Sequence, residues 1–131
     1  MPKPPLPDDL SALLARPNPA VIGTLRPDGW PHTVATWYLW EAGRILVNME
    51  GSRARLEHLR RDPRVALTVF AGDQWYAHVS LRGKVVSMEP DEDLRDIDRL
   101  ARHYRGADYP TRDQPRVSAW VEVTSWHRWG V

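Results

Sequence analysis

The stretch Asn48-Met49-Glu50-Gly51-Ser52-Arg53-Ala54-Arg55 is where the period of the sequence changes. Ahead of it, Arg44 to Met49 is rich in β-formers and reads as a strand. Behind it, Leu56 and Leu59 fall on one helical face, and Asp62-Pro63 ends the helix because proline disfavours helical geometry in the residue before it. Between the two, Gly51 frees the backbone and Ser52 is available as an N-cap. A strand that hands over to a helix start gathers unpaired N–H groups and the positive end of the helix dipole. Here they meet a serine hydroxyl and the guanidinium groups of Arg53 and Arg55, a chemistry suited to phosphate. The same residues also read as a solvated basic helix that Arg60, Arg61 and Arg64 continue; the strand-Gly-Ser-Arg order is what separates the two readings.

Outward from this point the chain is mostly strand. Upstream lie Ala20 to Leu25, a tight turn at Arg26-Pro27-Asp28-Gly29, a second strand over Thr33 to Trp40, and a turn at Glu41-Ala42-Gly43 that leads into Arg44 to Met49. Downstream, Val65 to Phe70 and Gln74 to Met88 are joined by Ala71-Gly72-Asp73, and Gly83 inside the longer run marks a bulge or bend. A helix follows Glu89-Pro90-Asp91-Glu92-Asp93, with Leu94, Ile97, Leu100, Ala101 and Tyr104 on its apolar face and Gly106 beyond its basic end. The acids between Asp91 and Asp98 serve that helix start. Gly106 to Pro115 is loop, and Val117 to Val123 is the last strand, reaching toward Trp126. At the other end, residues 1–7 are Pro-rich and extended. A short helix then starts with Asp8 or Asp9 as N-cap and carries Leu10, Leu13 and Leu14 on one face before Pro17 and Pro19 end it. The expectation is a mainly β chain: about six antiparallel strands in a small barrel that turns its corners with long bent strands, plus two or three short helices.

Composition narrows the function. The 131 residues fit one domain over residues 1–131, with seven Trp to enlarge a small core. Lys plus Arg total 18 against 17 for Asp plus Glu, so an anion site must be local and bulk charge does not suggest nucleic acid. The absence of cysteine removes disulfides, thiolate metal sites and cysteine nucleophiles. The five histidines, His32, His58, His78, His103 and His127, are scattered without metal-ligand spacing, so no metal is expected. Hydrolase elbows and nucleotide-binding glycine motifs are missing. No apolar run is long enough for a membrane span and no secretory signal opens the chain, so the cytoplasm is the expected compartment.

Leu25-Arg26-Pro27-Asp28-Gly29 with Pro31-His32, then Arg53 and Arg55 leading into His58-Leu59-Arg60-Arg61-Asp62-Pro63-Arg64-Val65-Ala66-Leu67, resembles the pyridoxamine-phosphate-oxidase-like superfamily. More narrowly, it resembles the actinobacterial deazaflavin-dependent oxidoreductases of split-barrel type, including their biliverdin-reductase branch, over nearly the whole chain. The resemblance implies a split barrel that forms a homodimer with two equivalent cofactor sites at the subunit interface. It implies that His32, Thr33, Val34, Ala35 and Thr36 line the tricyclic ring. Asn48, Met49, Ser52, Arg53, Arg55 and His58 would lie along the ribityl phosphate, with Arg53 and Arg55 binding it. Trp75 and Tyr76 would wall the substrate pocket of the other copy, while Trp37, Trp40, Trp120 and Trp126 are read as core or interface packing. Relatives often carry Lys at the position of Arg55, Asn at that of His58 and Pro at that of Ala35.

The cofactor implied is F420, and the reaction is hydride transfer from reduced deazaflavin to a conjugated double bond of a small planar substrate. The cofactor then performs the chemistry, which is why no nucleophile or acid–base pair stands out. No catalytic acid is assigned, His78 and Tyr104 being only conceivable proton donors. One alternative keeps the fold and binds FMN; another is a non-catalytic carrier of haem, a tetrapyrrole or a lipid.

Overall fold

A computed structural model describes residues 1–131. Seven strands form one antiparallel sheet: β1 Ala20–Leu25, β2 Pro31–Thr36, β3 Leu39–Glu41, β4 Arg44–Glu50, β5 Arg64–Ala71, β6 Gln74–Pro90 and β7 Arg116–Trp129, in the order β2-β1-β5-β6-β7-β4-β3. Three helices accompany them: α1 Asp8–Leu14, α2 Ala54–Arg61 and α3 Arg95–Arg105. The sheet curls into a split barrel. The six-strand expectation gains one because the run Thr33 to Trp40 breaks in two. Its first part pairs with β1 and its second with β4, so Trp37-Tyr38 carries the chain from one outer edge of the sheet to the other. Tyr38 pins that crossing: its ring is fully buried, and its hydroxyl donates to the Arg16 carbonyl at 3.2 Å and accepts from Asn18 Nδ2 at 3.3 Å. Such burial pushes the phenol up to about 12.

The barrel interior is filled from alternating positions. Ile22, Ile45, Val47, Met49, Leu67, Val69, Val79, Leu81 and Val121 form its core, and α1 adds Leu10, Leu13 and Leu14 to the same cluster. Strand β4 is buried on both faces. Leu46 and Asn48 point away from that core, where Ile97, Leu100 and Ala101 of α3 are buried as well. Gly83 is the bulge the sequence marks: the β6–β7 register shifts there, and a Cβ would sit 2.4 Å from the Glu122 carbonyl oxygen.

Two helix starts differ from expectation. Neither Asp8 nor Asp9 caps α1, whose N-cap is Pro7; Asp9 pairs with Arg128 of β7 instead. Ser52 does not cap α2 either, because its hydroxyl is taken by the Glu50 carboxylate and Arg53 occupies the N-cap position. α3 begins at Arg95, after a tight turn at Glu92–Leu94, and the buried Asp91 accepts the N–H groups of Asp96 and Ile97, each at 2.9 Å. The last strand extends beyond Val123 to Trp129 because β6 is long enough to pair with it there. No helix is long and apolar enough to cross a membrane.

Candidate active site

Two cavities open beside the crossing between β2 and β3. An inner one of about 540 Å³ is walled by Pro17, Pro19, Trp37, Ile97, Leu100 and Tyr104. An outer one of about 460 Å³ is bordered by His32, Val34, Glu50, Arg53 and Ala54. Ala35, Arg55, Tyr109 and Arg116 line both, so the two meet along one boundary. Strand β2 places Val34 and Ala35 there, the N-cap and first turn of α2 place Arg53 and Arg55, and β7 places Arg116, its first residue.

The electrostatics of that boundary are one-sided. Arg53, Arg55 and Arg116 form no ion pair. Burial, and then the charges of Arg53 and Arg116, push the Arg55 guanidinium below its ordinary value, as happens when a cation is held without a counter-charge. Glu50 is the nearby acid, but its carboxylate is turned toward the backbone N–H and hydroxyl of Ser52, which, ahead of Arg53 and Arg116, keep it below the usual carboxylate range. The donors left over fit an anionic group such as a phosphate.

Arg116 is held by a chain of buried contacts. Its Nε donates to Asn48 Oδ1 at 2.7 Å. The Asn48 amide in turn donates to Asp91 at 3.0 Å and to Ser118 Oγ at 3.1 Å, so every polar position of that side chain is used inside the protein. The guanidinium also lies over the Tyr109 ring, 4.8 Å from its centroid. Tyr109 is fixed by Asp98, which accepts its N–H at 3.0 Å and the Arg112 guanidinium at 2.6 Å. Across the cavity, Trp37 stacks on Tyr104 with centroids 5.3 Å apart and planes 12° from parallel, and meets Tyr109 edge-on at 6.2 Å. Trp37 is therefore a wall of the cavity, which corrects its reading as ordinary packing. Tyr104 makes a poor proton donor, since its hydroxyl is bonded to the Asn18 carbonyl at 2.7 Å and burial raises its pKa.

Most of the residues singled out in the sequence converge here. His32, Val34, Ala35, Thr36, Asn48, Arg53 and Arg55 all border one cavity or the other. The rest fall elsewhere. Thr33, nearer the start of β2, lines a separate groove with Leu25, Ala66 and Lys84. The Met49 side chain is buried in the barrel core, and Ser52 is engaged with Glu50. His58 lies behind the site; its Nδ1 shares a hydrogen bond with Thr24 Oγ1 at 2.9 Å, and its ring meets that of His32 edge-on at 5.3 Å. Trp75 and Tyr76 are exposed on the β5–β6 hairpin and border neither cavity. His78 is occupied locally, its Nδ1 lying 2.8 Å from the Tyr76 carbonyl oxygen. Sequence reasoning misses Arg116 and Tyr109, which the final strand and the preceding loop bring in from far along the chain.

The pyridoxamine 5'-phosphate oxidase family model matches residues 6–130. This chain belongs to that family. The pyridoxamine 5'-phosphate oxidase fold is one of flavin-type cofactor binding and oxidoreductase-like chemistry, which agrees with an arginine-bearing turn beside an aromatic cavity. Among solved structures of the fold, an F420 reductase is 27% identical with a TM-score of 0.84, over 93% of this chain and 98% of its own. A Listeria innocua protein provisionally named pyridoxamine 5'-phosphate oxidase is 20% identical with a TM-score of 0.72, over 95% and 98%. A conserved Mycobacterium tuberculosis protein is 20% identical with a TM-score of 0.70, over 97% and 86%. The last two bear on the fold alone.

Proposed function

We propose that this chain is a coenzyme F420-dependent oxidoreductase that reduces a conjugated C=C or C=N bond of a small planar substrate of biliverdin, quinone or enone type. The observation that carries the reading is the pair Arg53 and Arg55, neither in an ion pair, at the start of α2 beside a cavity edged by β2. The likeness to an F420 reductase over nearly the whole chain supports it. When bound, the deazaflavin supplies the hydride, so the protein's task is positioning and exclusion of water.

In this reading Arg53 and Arg55 bind the cofactor phosphate, and Val34 and Ala35 give the ring a flat, uncharged flank. Trp37 and Tyr104, stacked on each other, give the inner cavity an aromatic wall against which the substrate lies. No side chain is assigned as acid. The working unit is a cytoplasmic homodimer, in which the Trp75-Tyr76 hairpin of one copy covers the site of the other; the exposure of those rings, 71% and 67%, supports this arrangement.

Titration of the purified protein with F420 and, separately, with FMN tests the cofactor. Saturable F420 binding with no FMN response is expected, and tight FMN binding without F420 binding reverses the assignment in favour of a flavoprotein. Adding a quinone or a cyclic enone to the reduced F420 complex tests turnover. Binding of haem, a tetrapyrrole or a fatty acid with no consumption of reduced F420 by any acceptor would make the protein a carrier.

A further inference from the structure

The inner cavity has a marked polarity of its own. Its walls are the rings and aliphatic groups of Pro17, Pro19, Trp37, Ile97, Leu100 and Tyr104, while its polar lining is grouped where Asn48, Arg55 and Arg116 stand. Asn48 has nothing left to offer a ligand, because its amide donates to Asp91 and Ser118 and its oxygen accepts from Arg116. Arg116 uses only Nε in this way, and neither terminal nitrogen is bonded to an acid. The guanidinium is also held from behind by the Tyr109 ring, so its terminal donors are set in place before any ligand arrives. A preordered cation loses little freedom on binding, which favours a planar anion that accepts two parallel hydrogen bonds.

We propose that the inner cavity is a binding site for a flat, apolar molecule bearing a carboxylate, with Arg116 as the residue that selects the carboxylate and Trp37 and Tyr104 as the walls that select flatness. Asn48 is a positioning residue: it aims Arg116 and touches no ligand. The inference depends on the F420 reading only for the statement that this molecule is the substrate; as a binding site it stands on Arg116 and the aromatic walls. It narrows the substrate to acidic members of the planar conjugated class and makes the neutral analogue a poor one. Arg53 borders the outer cavity alone, while Arg55 and Arg116 stand on the boundary that the two cavities share, so the phosphate has one cation that the substrate carboxylate does not reach.

The test is calorimetric, on the intact protein, with 2-naphthoate and its uncharged analogue 2-naphthamide as probes, in the absence and presence of saturating F420. The acid should bind about tenfold or more tightly than the amide, the size expected for a charge-assisted bidentate contact. Arg116→Ala should abolish that preference while leaving naphthamide binding within about twofold, and Arg116→Lys should restore part of it. Asn48→Leu should weaken the preference without touching amide binding, which a purely structural role would not do. The acid and amide binding equally to the wild-type protein would overturn the proposal whether or not the variants fold. So would a preference that survives Arg116→Ala, or acid binding abolished by F420, which would hand the cavity to the cofactor. Naphthoate binding by a protein that ignores F420 would defeat the functional reading and leave this one standing.

Discussion

Arg53 and Arg55 face the same space without an ion-paired acid, the bordering Glu50 being turned to Ser52, and each would lose a charge-assisted hydrogen bond to a phosphate on truncation. Arg53→Ala or Arg55→Ala should therefore weaken F420 binding by about 1.5 to 3 kcal/mol each, read by fluorescence titration. Unchanged affinity in both variants would displace the phosphate from this turn. His58 offers a second residue-scale outcome. Burial, then the neighbouring His32 and Arg26 charges, push its imidazole below 6.5, against a smaller opposing pull from Asp28. The unfolded chain thus takes up a proton that the folded chain refuses, and stability rises with pH wherever that is so. The contribution is full above 6.5 and is lost as the pH falls toward the lowered folded value. Urea unfolding should show stability declining with acidification below about pH 6.5, with a shallower decline in His58→Gln. Equal slopes would assign the acid sensitivity to other groups.

At the scale of the element, Gly83 carries the sharpest constraint. It lacks a Cβ where one would strike both the Glu122 carbonyl oxygen and Val121 Cγ1, at 2.4 and 2.8 Å. The first of these is backbone and cannot swing aside. Gly83→Ala should cost about 3 kcal/mol, the upper end for forcing extra volume into a packed site, as measured by chemical denaturation; a neutral effect would mean the β6–β7 pairing is softer than its register implies. This bulge is legible in the sequence because a lone glycine weakens a long run of β-formers unless a bend or a close backbone approach requires it. The crossing at Trp37-Tyr38 is not legible, since both residues are good strand formers and only the change of partner from β1 to β4 breaks the strand. Ser52 misleads for a related reason: a serine ahead of a helix looks like a cap until a carboxylate two residues earlier takes its hydroxyl. Arg53 and Arg55 can be singled out because a local pattern, strand then glycine then helix, surrounds them. Arg116 follows a nondescript loop and gains its meaning from pairing opposite Glu50, which no spacing reveals.

For the whole molecule, assembly and the site are one question. Trp75 and Tyr76 lie side by side with ring centroids 4.2 Å apart and, like Trp30 and Trp129, remain largely exposed on a single copy, an aromatic pair suited to burial against a second copy. Sedimentation equilibrium should therefore give a dimer at micromolar concentration, and Trp75→Ala together with Tyr76→Ala should lower F420 affinity while leaving the unfolding transition in place. A strictly monomeric protein that binds F420 unaided would remove this hairpin from the site.

Because β2 and β4 share no ladder, the pouch lined by Ala35 and Thr36 of one, Asn48 of the other and Ile97 and Leu100 of α3 opens between elements that are not hydrogen-bonded to each other. A bulky guest forced between paired strands must break main-chain hydrogen bonds before it gains any contact. At this seam it only has to turn rings and guanidinium groups aside. Reshaping the pouch at Trp37 or Tyr109 is then a matter of exchanging side chains, whereas Ile97 and Leu100, buried in the same wall, tie its far side to the packing of α3.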